Sequence, residues 1–255
     1  MRISSLLFHG VVGVPGGLIA AGVIWSLALG FAAGNYACSL VHRLPRGKSL
    51  LEHKPYCGSC GTPLATRDLF PVVSALMLNH RCRYCGAAIP TSHLWTEILI
   101  GLLFTACYLQ FGFSERYFLV AGIGVFFIIL AAIEINDGIL MPKVMAATAV
   151  WGMLLRTLAD RELYNFIGGA LFALFVGLLL WKEGIRRVNH VYVPPPQVML
   201  IVLCGVCVGL ARLPQFFVQF GLYWIACWLW KHRKGRVPAS VPAALATLCI
   251  LLIPR

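Results

Sequence analysis

Eight apolar runs, at about 17–42, 94–112, 117–136, 139–158, 163–181, 197–212, 214–230 and 239–254, occupy most of this 255-residue chain. They constrain its fold more than any other feature. A helix needs roughly 20 mostly apolar residues to cross the hydrocarbon core of a bilayer. In lipid the backbone finds no water, so each run is expected to satisfy its own hydrogen bonds as a helix. With 60% hydrophobic and 12% charged residues, the chain departs from soluble domains, whose apolar share is ~45–50%. The expected fold is therefore an all-α polytopic membrane protein with about eight transmembrane helices, the sixth and eighth runs being the shortest. Met1 to Val14 offers no small-residue cleavage site, so a cleavable signal peptide is not expected.

The distribution of Lys and Arg sets the expected orientation. Of the 21 basic residues, fifteen fall in the odd-numbered connections: Arg43 to Arg83, Lys143, Lys182 to Arg187, and Lys231 to Arg236. Those connections are expected in the cytoplasm, with both termini outside. The formal charge of +12 then reads as an insertion and headgroup signal. A nucleic-acid partner is excluded, because the charge is spread over four loops and no binding fold accompanies it.

The longest polar connection carries two Cys-x-x-Cys knuckles, Cys57-Gly58-Ser59-Cys60 and Cys82-Arg83-Tyr84-Cys85, with 21 residues between them. A two-residue gap lets both sulfurs of a knuckle reach one metal, so four thiolates at this spacing can enclose a tetrahedral Zn²⁺. Gly58, Gly61 and Gly86 suit the tight turns such a site needs. Two disulfides are the competing reading. A reducing cytoplasm favours metal, and four sulfur ligands make the site structural, with no open position for a substrate. The other cysteines, Cys38, Cys107, Cys204, Cys207, Cys227 and Cys249, lie in apolar runs and read as small buried hydrophobes. Cys204 and Cys207 repeat the spacing without ligand-bearing neighbours.

Residues 43–93 are too few for an ample core, and a metal staple is the usual remedy. Between the knuckles, Asp68-Leu69-Phe70-Pro71-Val72-Val73-Ser74-Ala75-Leu76-Met77-Leu78 reads as a short apolar helix starting near Pro71. Packing onto the knuckles or lying on the membrane surface are its two uses.

The segments His42-Arg43-Leu44-Pro45-Arg46-Gly47-Lys48-Ser49-Leu50, Cys57 to Cys60, Asp68 to Ser74 and Arg81 to Pro90 closely resemble type IV prepilin peptidases. Glu97, opening the second run, and the eight-run plan extend the resemblance over most of the chain. It implies a bacterial inner-membrane enzyme, an aspartic endopeptidase and N-methyltransferase, that cuts the leader from prepilins or type II secretion pseudopilins and methylates the new N-terminus. It also divides the chain into a first helix at 1–42, a cytoplasmic zinc domain at 43–93 associated with methyl transfer, and a seven-helix membrane domain at 94–255. S-adenosylmethionine is the implied methyl donor, and its site is not read from the residues.

Family members use two intramembrane carboxylates, one ionised to activate water and one protonated to polarise the peptide carbonyl. In the family register the first acid lies seven residues before the proline of a Leu-Pro pair. Here that proline is matched by Pro142, and counting back lands on Ile135, with Glu134 one residue short. Asp137 matches a second, less regular acidic position. Glu134 and Asp137, three residues apart, can share one helix face and are the catalytic candidates. A solvated helix end with Asp137-Gly138 as a turn is the bland alternative.

At the second position the family's Gly-x-Gly-Asp is replaced. Gly205 and Gly209 match glycines eight and twelve residues past the catalytic aspartate, which puts Gln197 in its place and Pro194, Pro195 and Pro196 before it. An amide cannot ionise, and no Asp or Glu follows Glu183. His190, beside Arg186 and Arg187, reads as a solvated loop residue. The peptidase half therefore reads as degenerate.

Three function classes follow. One is a prepilin-processing enzyme with an unorthodox acid pair. Another retains methyl transfer while an active paralogue cleaves. The alternative class is a non-catalytic membrane module that binds a pilin-like helix or a secretion or pilus assembly partner. Besides the lipid bilayer, the expected partners are thus pilin or pseudopilin precursors.

Overall fold

In the computed structural model, the described residues are 9–47, 60–62, 81–87, 91–160, 163–187, 196–231 and 238–253. They hold eight α-helices, one on each of the eight apolar runs. These are α1 (Gly16–Arg43), α2 (Thr91–Phe111), α3 (Glu115–Asp137), α4 (Pro142–Leu154), α5 (Leu163–Arg187), α6 (Pro196–Val208), α7 (Leu213–Lys231) and α8 (Ser240–Leu252). The expected loop helix near Pro71, and Cys57, Asp68, His190, Pro194 and Pro195, lie outside the described residues.

Length separates the eight. Among the described residues, Gly16–Arg43, Leu94–Phe111 and Glu115–Asp137 are long and apolar enough to cross a membrane. Met199–Val208 and Leu210–Leu229 pass that test only together, as a pair bent by 106°, which raises the number to four at most. At 1.5 Å per residue, the 13 residues of α6 or α8 reach about 20 Å, short of the ~30 Å core.

Chain contacts divide the molecule into two compact units, Met1–Gly112 and Phe113–Arg255. In the first, α1 lies against α2 through Gly22, Ser26, Gly30 and Gly34, small residues repeating every four positions and all buried. A β-carbon built on Gly30 would stand 2.7 Å from the Gly101 Cα, and one on Gly34 would stand 2.9 Å from the Glu97 Cα. Small residues at this spacing let two helix backbones approach closely, the usual basis of packing between membrane helices.

In the second unit, α3 is started by Ser114, whose hydroxyl accepts the Tyr117 N–H at 3.3 Å. It stops at Gly138, which takes a left-handed conformation (φ 72°) and donates to the Glu134 carbonyl at 3.0 Å. Pro142 then occupies the first turn of α4, where its missing N–H costs nothing. Between α4 and α5 the chain forms a single π-helical turn, Leu155–Ala159. Helices α5 and α6 meet backbone to backbone, the Gly205 carbonyl lying 2.6 Å from where a Gly169 β-carbon would be.

The sulfur cluster and the carboxylate clamp

Cys60, Cys82 and Cys85 bring their sulfurs together, all three lying within 4.8 Å of one another. Cys82 is buried, whereas Cys60 and Cys85 are exposed. The second knuckle is a tight turn: Gly86 donates to the Cys82 carbonyl at 2.9 Å, and Cys82 donates to the Ala87 carbonyl at 2.8 Å. Gly61 and Gly86 both have φ 69°, as the expected turns require. All three thiols are free of disulfides.

A tetrahedral metal with bonds of about 2.3 Å places its sulfur ligands a little under about 4 Å apart. Three soft donors already gathered near that separation fit zinc, and Cys57 is the expected fourth. Bound there, the ion would tie the two knuckles together. With a fourth sulfur ligand such a site would be structural, with no position left for a substrate.

The two candidate carboxylates stand in different surroundings. Asp137 is exposed at the end of α3. Glu134, one turn earlier, reaches the amino end of α8. Its Oε1 accepts the Ala239 N–H at 3.0 Å, and its Oε2 accepts the Ser240 N–H at 2.8 Å and the Ser240 hydroxyl. The start of a helix leaves amides without partners inside the helix, and a carboxylate also suits the positive end of its dipole. At the other end of α8, Arg212 donates to the carbonyls of Ile250 at 2.7 Å and Ile253 at 3.2 Å. The last helix is thus held at its amino end by an anion and at its carboxyl end by a cation.

Gln197 lies in the first turn of α6, directly after Pro196. At the other end of that helix sits a cluster that sequence reasoning missed. Arg156, only 2% exposed, donates to the Cys207 carbonyl through Nε at 3.1 Å and Nη2 at 2.5 Å, and through Nη2 to the Val208 carbonyl at 2.5 Å. Its Nη1 pairs with Asp160 at 2.6 Å, and the other Asp160 oxygen lies 3.5 Å from Arg116. The signal in the sequence is an Arg and an Asp four apart, the spacing of neighbours on one helix face. Gly209, with φ 78°, turns the chain away directly afterwards.

Glu97 is 1% exposed on α2, facing Gly34. Cys38, Cys107, Cys204 and Cys207 are buried as expected, whereas Cys227 and Cys249 are half-buried, the latter 3.3 Å from the Tyr223 hydroxyl.

A family profile described as "Bacterial Peptidase A24 N-terminal domain" matches residues 28–111. The prepilin leader peptidase/N-methyltransferase of Klebsiella pneumoniae is 31% identical over 163 residues, covering 60% of this chain and 69% of that protein. The protein of the same name from Bacillus subtilis (strain 168) is 23% identical over 228 residues, covering 87% and 90%. That of Myxococcus xanthus (strain DK1622) is 34% identical over 91 residues, covering 36% and 27%. No solved structure matches. With its sulfur knuckles inside the profile match and its likeness running from α1 into the carboxyl-terminal unit, the chain belongs to the prepilin leader peptidase/N-methyltransferase family.

Proposed function

We propose that this chain is a membrane-embedded prepilin peptidase/N-methyltransferase-like protein acting on type IV pilin-like or type II secretion pseudopilin precursors, with a degenerate peptidase half. The observation that carries the reading is the likeness to relatives of that name over 87% of the chain. The eight helices cross the bacterial inner membrane in this proposal, with both termini on the outer side. Residues 43–93 form a cytoplasmic zinc domain, held by Cys57, Cys60, Cys82 and Cys85, that serves methyl transfer from S-adenosylmethionine.

Two-carboxylate hydrolysis needs one acid to take a proton from water while its partner donates one to the carbonyl. Gln197, at the second acidic position, can do neither. Glu134 and Asp137 are the candidate carboxylates for any retained cleavage. A second reading, a non-catalytic module that binds a pilin-like helix or an assembly partner, is favoured by the Glu134 carboxylate being occupied by α8. The test incubates the purified protein in bilayers with a prepilin and labelled S-adenosylmethionine. Under the main reading, methyl transfer to a precut pilin proceeds while leader removal is weak or absent. Binding without either reaction selects the module.

A further inference from the structure

We infer that Glu134 is a positioning residue: its carboxylate holds the amino end of α8 against the carboxyl end of α3 and does not act on a substrate. This rests on the family register that places Glu134 beside the first acidic position. It changes what that acid is for.

The first turn of α8 has an unusual need. Ala239, at the cap position, has no side-chain acceptor, and Pro242 two residues into the helix has no N–H to offer. The Ala243 amide returns to the Ala239 carbonyl at 3.4 Å. The amides of Ala239 and Ser240 therefore have no acceptor from their own segment, and both are taken by Glu134 at 3.0 and 2.8 Å. The Ser240 hydroxyl adds a third donor to the same carboxylate. Ser240 is fully buried and Ala239 nearly so, so water is a poor replacement for the lost acceptor. A carboxylate spread over three donors from one helix end is aimed at that end. The partner lies 105 residues along the chain, so the bond also fixes how α3 and α8 meet.

Two consequences separate this role from a catalytic one. The need belongs to α8, so a new acceptor at the amino end of α8 should substitute for Glu134. A group acting on substrate could not be replaced from there. Pro238, the residue before the cap of α8, is only half-buried, which leaves room for another side chain there. An aspartate at 238 can accept the amide two residues on, which is that of Ser240, one of the two that Glu134 takes.

The experiment compares wild type, Glu134→Gln and Glu134→Gln/Pro238→Asp in the full chain, in bilayers, by hydrogen exchange of the segment 239–243. Glutamine keeps the shape but puts an N–H donor where one of the two accepting oxygens was. Exchange should rise roughly tenfold, the scale of a lost helix cap. The double variant should return within about threefold of wild type. Where wild type cleaves a prepilin, cleavage should fall in the single variant and recover in the double one. Unchanged exchange in Glu134→Gln overturns the assignment, as does cleavage that is abolished and not recovered while exchange is restored. If wild type neither cleaves nor methylates, the proposed function fails, and the exchange comparison still decides the role of Glu134.

Discussion

Arg156 reaches across 51 residues to the carbonyl of Cys207 and, with the same guanidinium, to that of Val208. Those two carbonyls end α6 just where the chain bends by 106° and the next turn of helix cannot supply donors. Exposed to lipid, they would be costly, and a fixed fork of N–H groups meets them instead. Asp160 balances the charge.

Replacing Arg156 by leucine should therefore leave Asp160 buried without its closest cation and two carbonyls unmet. The expected cost is about 3–5 kcal/mol, read as a fall in the unfolding midpoint in detergent. Adding Asp160→Leu should recover part of it, since the orphaned charge is then gone. Equal stability of Arg156→Leu and wild type would refute the role of the pin.

Gly209 stands at φ 78°, and the nearest side-chain atoms of Arg156 lie 3.5 Å from where its β-carbon would be. Space is adequate, so the penalty of Gly209→Ala is conformational, roughly 1–2 kcal/mol for a left-handed L-residue. Gly16→Ala, in open space at the start of α1, is the control and should be neutral. A similar effect of both on the unfolding midpoint would count against the bend as drawn.

In the first unit, Gly34→Leu should separate α1 from α2. Its β-carbon alone would stand 2.9 Å from the Glu97 backbone, and neither helix can yield there. Overpacking of this kind costs typically ~1–3 kcal/mol. A disulfide-trapping pair across the helix interface should form readily in wild type and slowly in the variant.

The existence of eight helices is legible in the sequence because apolar residues dominate each run and charged residues, proline or glycine separate the runs. Which of them span is less so. The expected boundary between the sixth and seventh runs falls near Leu213, whereas the chain breaks at Gly209, and nothing in hydropathy reveals a 106° bend. The sulfur cluster is legible because a two-residue gap lets both sulfurs of a knuckle reach one metal, and two such knuckles supply the four ligands one site needs. The partners of Glu134 and Arg156 are not, since each bonds backbone groups, which are the same in every sequence. An acid at the end of an apolar run looks like a solvated terminus or a catalytic group until the distant helix it caps is seen.

The thiolates give a prediction independent of catalysis. Purified protein should carry about one zinc per chain, as four-sulfur sites do. Cys82→Ser, which removes the buried ligand, should lose it, while Cys204→Ser, a thiol within α6, should not. Helix content should stay close to wild type in both, because the eight helices do not depend on the knuckles. Retention of zinc by Cys82→Ser would place the metal elsewhere.

The last expectation concerns leader cleavage itself. Gln197 opens α6 behind Pro196, and an aspartate there would supply the missing acid. By itself it should not restore a two-carboxylate site. Pro194, Pro195 and Pro196 lack three amide donors at the place where the resemblance implies a Gly-x-Gly segment. On the first side the exposed carboxylate is Asp137, whereas Glu134 is already bonded to α8. General acid–base assistance is typically worth ~10²–10⁴-fold and requires both partners in reach of one water. Gln197→Asp should therefore raise prepilin cleavage by less than about tenfold. Replacing Pro194 to Pro196 with Gly-Ile-Gly in the same protein should raise it further. Asp137→Asn should remove whatever cleavage is gained. Robust cleavage by Gln197→Asp alone, unaffected by Asp137→Asn, would mean that the acid pair lies elsewhere.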